Sequence, residues 1–182
     1  MSNHKTYLMP KLQHNITVSS QEYRDAMSLF AGAVHIVTTN GIKGKRGVTV
    51  SACCSLSDDP PTLLVCLMRH NLKNQVFMEN GNFCVNSLAG KHRSLADIFS
   101  RRCNSSQNES TQNEHFDVAQ WGTLQTGAPS LSDALASFDC RLICWHEHAT
   151  HCVLIGEVVA INCNQEKDAL MYLKREYHTL PL

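Results

Sequence analysis

Hydrophobic and polar positions alternate with a period of two along residues 47–57, as in a β-strand with two different faces. One face carries small side chains, mostly hydroxyls: Thr49, Ser51, Cys53, Ser55 and Ser57. The other face is apolar, and we expect it to pack on the core: Val48, Val50, Ala52, Cys54 and Leu56. Alternation alone favours a solvent-exposed hydroxyl face, but small neutral donors and acceptors also suit a flat polar ligand.

The rest of the chain carries strand-like patterns more often than helical ones. Apolar runs and alternation predict strands at residues 34–39, 62–68, 83–88, 137–147, 152–162 and 170–173. Helical spacing with cap residues predicts helices at about 19–32, 72–79 and 94–100, a helical turn at 130–136, and glycines predict a hairpin at 41–47. Many strands of medium length with few helices predict a mainly β fold, a β-barrel with peripheral helices.

Length and composition limit the class of protein. The 182 residues fit an N-terminal arm at residues 1–18 and a single domain at residues 19–182, with a polar surface loop at residues 103–115. Sixteen acidic and sixteen basic residues balance, and no apolar run is long enough to span a bilayer, so we expect no nucleic-acid partner and no membrane. Nine cysteines occur without a Cys-x-x-Cys pair and mostly in apolar runs, which indicates reduced thiols and a cytoplasmic location.

No glycine-rich phosphate-binding motif is present, so any nucleotide must be held in another way. The junction at residues 68–74 offers one, because a buried strand ends there and a helix begins beside Arg69 and Lys73. Free N–H groups at a helix start favour a phosphate, although a capped surface helix with solvated cations explains the same residues. Lys45 and Arg46 are either a second positive element of such a site or the solvated tip of a hairpin.

Three histidines and a cysteine lie close together at His146, His148, His151 and Cys152. The segment is predicted to be a turn between two strands, and no further ligand set has the spacing of a zinc site, so we expect no metal. His151 stands where the second of these strands begins, in a position to meet a ligand at the rim of the barrel.

Short segments along residues 23–177 resemble, in their order and spacing, the flavin reductase family, which has the split β-barrel FMN-binding fold. They lie at residues 23–27, 32–34, 46–52, 55–61, 64–67, 82–88, 126–129, 138–141 and 155–158. Each segment alone is unspecific, whereas the whole series is highly specific. The resemblance implies an NAD(P)H:flavin oxidoreductase, a homodimer that reduces FMN (or FAD or riboflavin) by hydride transfer from NADH or NADPH.

The resemblance also implies which residues bind the two cofactors. Its flavin contacts fall on Lys45, Arg46, Gly47, Val48, Thr49, Ser51, Ala52, Cys66, Leu67, Met68, Leu72, Lys73 and Phe99. The residues implied to close over the dinucleotide are Tyr172, Lys174, Arg175 and Tyr177. The nicotinamide contact, usually Gly-Asp-His, is Ala149, Thr150 and His151 here. We expect His151 to orient the nicotinamide, because direct hydride transfer requires no general base.

Members of the family supply reduced flavin to a separate monooxygenase or reduce a corrinoid. Residues 23–32, Cys53 with Cys54, and residues 149–151 are most similar to the cobyrinic acid diamide reductase type. Two alternatives remain: a flavin-binding storage or sensing protein without turnover, and a metal protein built around His146, His148 and His151. Bleaching of added FMN by NADH distinguishes a reductase from a storage or sensing protein. A visible spectrum distinguishes a flavin protein from a metal protein, since flavin absorbs blue light.

Overall fold

The computed structural model of the protein describes residues 18–100, 114–165 and 168–182. The predicted arm at residues 1–18, except Val18, and the predicted loop at residues 103–115, except its last two residues, lie outside the described residues. Within the described ranges strands dominate, and the predicted mainly β fold with peripheral helices is confirmed.

The described part of the chain forms twelve strands. They are β1 Gly32–Ala33, β2 His35–Thr39, β3 Arg46–Val50, β4 Cys53–Asp58, β5 Pro61–Met68, β6 Asn82–Ser87, β7 Trp121–Thr123, β8 Pro129–Leu131, β9 Ala136–His148, β10 His151–Cys163, β11 Asp168–Leu173 and β12 Glu176–Pro181. Seven of them form one antiparallel sheet in the order β3-β2-β6-β9-β10-β5-β4. A second sheet has the order β1-β11-β12, and β7 pairs with β8.

Three helices lie around the sheets: α1 Ser20–Met27, α2 Gln75–Asn80 and α3 Arg93–Ser100. The predicted capping box starts α1, since the Ser19 hydroxyl accepts the Glu22 N–H at 3.2 Å and the Glu22 carboxylate accepts the Ser19 N–H at 2.8 Å. The prediction that this helix continues to residue 32 is wrong, because the chain turns after Met27 and enters β1. The helical turn predicted at residues 130–136 is also wrong; strand β8 and a turn occupy that segment.

The single strand predicted at residues 47–57 is two strands. It breaks at Ser51 and Ala52, where the Cys53 N–H donates to the Ser51 carbonyl at 3.2 Å. Strands β3 and β4 are the two edges of the seven-stranded sheet, yet only two residues connect them. Because two residues span less than about 11 Å, the sheet must curl until its edges meet, which closes a barrel with a split at this link.

Side chains that alternate along β2 supply two separate hydrophobic cores. Val37 points into the barrel with Val65, Phe83 and Leu154, and Val48 and Val50 of β3 pack against the same cluster. Ile36 points to the other side, where α3 covers the sheet through Ala96 and Phe99. The predicted apolar core face of residues 47–57 is therefore confirmed for β3 only, because Cys54 and Leu56 of β4 are exposed.

Candidate active site

A cleft of about 260 Å³ lies at the split, where the two edges of the barrel meet. Strand β3, the link after it, the end of β5 and the end of α3 form its walls. It is lined by Arg46, Gly47, Val48, Thr49, Val50, Ser51, Ala52, Cys66, Leu67, Met68, Asn71, Asn74, Phe99, Ser100, His115 and His151. Most of the residues that the sequence predicted for a flavin site therefore come together in one place.

The floor of the cleft is held by contacts between β3 and α3. A Cβ atom added at Gly47 would lie 2.4 Å from the Cε1 atom of Phe99, so the Phe99 ring packs directly on the glycine backbone. The Thr49 hydroxyl donates to the Ala96 carbonyl at 2.8 Å. On the hydroxyl face predicted from the sequence, Thr49 and Ser51 line the cleft, whereas Ser55 and Ser57 lie on β4 outside it.

Arg46 brings a buried cation to this floor. Its residue surface is only 2% exposed, and its Nε donates to Oδ1 of Asn74 at 2.7 Å. Asn74 in turn donates through Nδ2 to the Met68 carbonyl at 2.9 Å, which ties β3 to the end of β5. The interpretation of Arg46 as a solvated hairpin tip is therefore wrong, because burying a cation in this way is costly without such partners.

A positively charged groove of about 550 Å³ adjoins the cleft through Arg46. It contains Lys43, Lys45 and Lys73, with Glu79 as the acidic residue on its lining. Predicted residues Lys45, Leu72 and Lys73 lie in this groove rather than in the cleft, and Lys45 Nζ also stands 4.5 Å from the centre of the Phe116 ring. Clustered lysines beside a buried arginine favour a bound phosphate.

The helix predicted to start at residue 72 begins as the 3₁₀ turn Leu72–Asn74 and continues as α2. Asn71 Oδ1 accepts the Lys73 N–H at 3.3 Å, so the start of this turn is capped by a side chain. Because this cap occupies a backbone N–H group, the positive charge available to a phosphate comes mainly from lysine and arginine side chains and not from the start of the turn.

His151 occupies the rim of the cleft opposite this groove. It begins β10, pairs in register with Met68 of β5 and with His148 of β9, and is exposed to solvent. Its Nδ1 lies 2.9 Å from Oγ1 of Thr150. The side chain is thus placed at the mouth of the cleft, where the sequence analysis expected it.

A second cleft of about 460 Å³ shares Thr49, Val50, Ser51 and Ser100 with the first. Tyr172, Arg175 and Tyr177 line it, together with Arg93, Asp97 and Glu176. Lys174 does not line either cleft or the groove; it sits in the turn between β11 and β12, where its N–H donates to the Ser28 carbonyl at 2.6 Å. Of the four residues predicted to close over a dinucleotide, three therefore line the second cleft and Lys174 does not.

Electrostatics differ between the residues of the two clefts. Burial raises the pKa of the Cys66 thiol in the first cleft, and the thiol of Cys54 adds to that shift, so Cys66 stays protonated at neutral pH. In the second, burial and the charge of Asp97 raise the pKa of Tyr177. An ion pair between Arg175 and Asp25 of α1 lowers the pKa of that carboxyl. The Cys66 thiol and the Tyr177 hydroxyl are therefore protonated at neutral pH.

Several lining residues were missed by the sequence analysis. Asn74 is the most informative, because a buried polar residue inside a predicted helix signals a specific hydrogen-bonding role. Arg93, 5.9 Å from the Tyr177 ring centre, carries no such signal, since α3 and β12 are brought together only by the fold. Phe116 and Trp121 line neither cleft nor the groove, but their rings pack edge-on against Phe99, a contact that the sequence likewise does not signal.

Cys144 Sγ lies 3.9 Å from His146 Nε2, but within the described ranges no three histidine, cysteine or acidic side chains are arranged to hold a metal ion. None of the helices in the described segments is long and apolar enough to cross a membrane.

Comparison with known proteins gives a consistent family. The flavin reductase like domain matches residues 27–181. The FMN reductase (NADH) RutF of Pantoea ananatis is 42% identical over 172 residues, which cover 94% of this chain and 87% of that protein.

Solved structures agree in both sequence and fold. A crystal structure described as a flavin reductase from Haemophilus somnus 129PT superposes with a TM-score of 0.82 at 41% identity, covering 90% of this chain and all of that one. BorF, the flavin reductase component of a bacterial two-component tryptophan halogenase, gives a TM-score of 0.79 at 29% identity, covering 90% of this chain and 99% of that one. The predicted split β-barrel is thereby confirmed, and this chain belongs to the flavin reductase family.

Proposed function

We propose that this protein is an NADH-dependent flavin reductase that binds FMN in the cleft at the split of the barrel. The observation that carries the proposal is the junction of a flat, glycine-floored cleft with a lysine-lined groove through the buried Arg46. When bound, FMN supplies a hydride acceptor for the nicotinamide. Relatives named FMN reductase (NADH) support the choice of both cofactors.

The residues of the cleft fit a flavin. The absence of a Cβ at Gly47 leaves room for the Phe99 ring, and the two together form part of the lining beside which a planar ring system can lie. Thr49, Ser51 and backbone N–H groups are neutral donors and acceptors for the polar edge of the ring. Arg46, Lys45 and Lys73 supply positive charge for the phosphate on the groove side.

The nicotinamide is proposed to enter from the rim at His151, which orients it and does not transfer a proton. The second cleft, with Tyr172, Tyr177 and Arg175, would take the rest of the dinucleotide, since aromatic walls and a guanidinium suit adenosine and phosphate groups. The chain's task is placement, and a protonated Cys66 thiol adds no competing nucleophile beside the flavin.

Two further features support assembly as a homodimer. No residue of α1 is buried, although Tyr23 and Met27 of this helix, and Phe30 just after it, present large apolar side chains. Because isolated short helices are marginal in water, a second copy that covers this side would stabilise α1. Light scattering on the purified full chain tests this proposal, and a monomer at micromolar concentration would contradict it.

Reduced flavin is proposed to leave the protein and serve a separate acceptor in the cytoplasm. BorF, described as a component of a two-component halogenase, is an example of such a division of labour. A separate monooxygenase and a corrinoid are the two acceptors that the family resemblance implies. All eight described cysteines are free thiols, which supports a reducing compartment.

Anaerobic mixing with NADH and excess FMN tests the central proposal. Rapid loss of the flavin's blue absorbance, at many equivalents of FMN per protein, is expected. Reduction of a single bound equivalent would favour the storage or sensing alternative, and no bleaching within minutes would contradict the reductase. Parallel reactions with riboflavin, FAD and a cob(II)alamin-type corrinoid show which acceptor is reduced fastest.

The role of His151 is tested separately with His151→Ala, which is expected to raise the KM for NADH.

A further inference from the structure

The turn between β9 and β10 is anchored more firmly than its exposure suggests. The Thr150 carbonyl accepts the Arg69 N–H at 3.0 Å, and the Arg69 guanidinium pairs with Glu147 at 3.0 Å. Ala149 adopts a φ of 48°, which lets the chain reverse within two residues. These contacts fix the backbone of Thr150 against the end of β5, which forms one wall of the cleft.

The fixed backbone aims one hydroxyl at one ring nitrogen. Oγ1 of Thr150 lies 2.9 Å from Nδ1 of His151, a normal hydrogen-bond distance. If the hydroxyl donates, Nδ1 has no proton and the neutral ring carries its proton on Nε2, because a neutral imidazole has one N–H. The carboxylate of the same turn, Glu147, is engaged by Arg69, so the group bonded to the ring is a neutral hydroxyl.

We propose that Thr150 is a positioning residue for nicotinamide binding. Its hydroxyl donates to Nδ1 of His151, selects the neutral tautomer with the proton on Nε2, and limits rotation of the ring at the cleft rim. Nε2–H then acts as a donor to the carbonyl oxygen of the nicotinamide carboxamide. This inference rests on the proposed function of the cleft. It assigns recognition of the nicotinamide carboxamide to Thr150 and His151 acting together.

Two conservative substitutions separate the hydroxyl from the shape of the side chain. Thr150→Val keeps the branched shape and removes the donor, whereas Thr150→Ser keeps the donor and removes the methyl group. Thr150→Val is expected to raise the KM for NADH about three- to ten-fold, the effect of one hydrogen bond, with kcat and the affinity for FMN nearly unchanged. Thr150→Ser is expected to stay within about two-fold of the natural protein, since its hydroxyl replaces the donor.

A measurement without turnover tests the tautomer directly. In ¹⁵N NMR spectra of the protein labelled at histidine, with the His151 signals assigned by their loss in His151→Gln, the natural protein and Thr150→Ser should show the proton on Nε2. Thr150→Val should show a mixture of tautomers. Equal spectra and equal KM values for Thr150→Val and the natural protein would overturn the inference.

The outcomes also separate this inference from the function on which it rests. If His151→Ala raises the KM for NADH but Thr150→Val does not, the rim histidine binds nicotinamide without help from Thr150, and the inference fails alone. If neither variant changes NADH kinetics in an active reductase, the nicotinamide role of His151 fails too. A Thr150→Ser protein that behaves like Thr150→Val would assign the effect to packing of the methyl group and would also contradict the inference.

Discussion

The two sides of the cleft are built differently. On the β3 side, Arg46 and Gly47 are buried, and Phe99 packs on the glycine backbone. On the open side, His151 at the rim and Arg175 in the second cleft are exposed and depend on a few hydrogen bonds and ion pairs. A rigid floor suits a flavin whose ring and phosphate must be held in one geometry. An open rim suits a dinucleotide that must arrive and leave in every cycle, so changes on the two sides should affect different cofactors.

The largest effect is expected from Gly47→Ala. The new methyl group would overlap the Phe99 ring at 2.4 Å, and overpacking of this kind typically destabilises by about 1–3 kcal/mol. FMN affinity should fall with it, because the Phe99 ring must move into the cleft. Gly122→Ala is the matched control, since nothing lies within 4 Å of its added Cβ. Urea unfolding measures the stability of the two variants, and FMN titration measures their affinity for the flavin. Equal stability of the two variants would show that the floor is not rigid.

The second prediction concerns the charge on the floor. Arg46→Met should weaken FMN binding about ten- to a hundred-fold, the range for a hydrogen bond to a charged group, and should weaken riboflavin binding much less. Lys43→Met, at the far side of the same groove, should change FMN affinity by about three-fold or less because it is exposed. An equal loss for FMN and riboflavin would assign Arg46 to the fold alone.

His35 of β2, next to β3, makes the packed side sensitive to pH. Burial lowers its pKa from 6.5 to about 4, and its Nδ1 is buried without a hydrogen-bond partner among the described residues. The unfolded chain therefore binds more protons between pH 4 and 6.5, and stability falls as the pH drops through that window. From pH 7 to pH 5 this group should cost about 2 kcal/mol of unfolding free energy.

Two substitutions check the origin of that pH dependence. His35→Gln should flatten the loss of stability below pH 6.5, whereas His70→Gln, at an exposed position, should leave it unchanged. Urea midpoints at pH 7, 6 and 5 give the comparison. If the His35→Gln protein kept the full pH dependence of stability, other groups would have to cause the loss of stability in acid, and the role assigned to His35 would be wrong.

The packed side was also easier to predict from the sequence than the rim. Val48, Thr49 and Val50 alternate as the pleat requires, and most of the residues that the resemblance implies as flavin contacts line one cleft around them. The break at Ser51 was not predictable, because the alternation of small and apolar residues continues through it and only closure of the barrel separates β3 from β4.

Long-range contacts explain the other errors. Met27 and Phe30 have helical spacing, but none of the described residues buries them, and pairing of β1 with β11 ends the helix early. Asn74 became a cleft residue through its bond to Arg46, 28 positions away in the sequence. Of the C-terminal hairpin only the segment at residues 170–173 was predicted, because β12 is mostly exposed and has little apolar pattern.

The smallest expected effect sharpens the comparison on the open side. Arg175→Met should raise the KM for NADH about three- to five-fold, as for loss of one partly solvated charged contact, and leave FMN affinity unchanged. Lys174→Met is the matched control: it removes a neighbouring cation in the same β-turn, also at positive φ, but does not line the second cleft. Stability should change little in either variant, because the Arg175–Asp25 pair is exposed.

If both variants raised the KM equally, general attraction between the dinucleotide and the hairpin would explain binding, and Lys174 would regain the role that the family resemblance implied for it. If Arg175→Met lowered FMN affinity instead, the two sides of the cleft would not be independent.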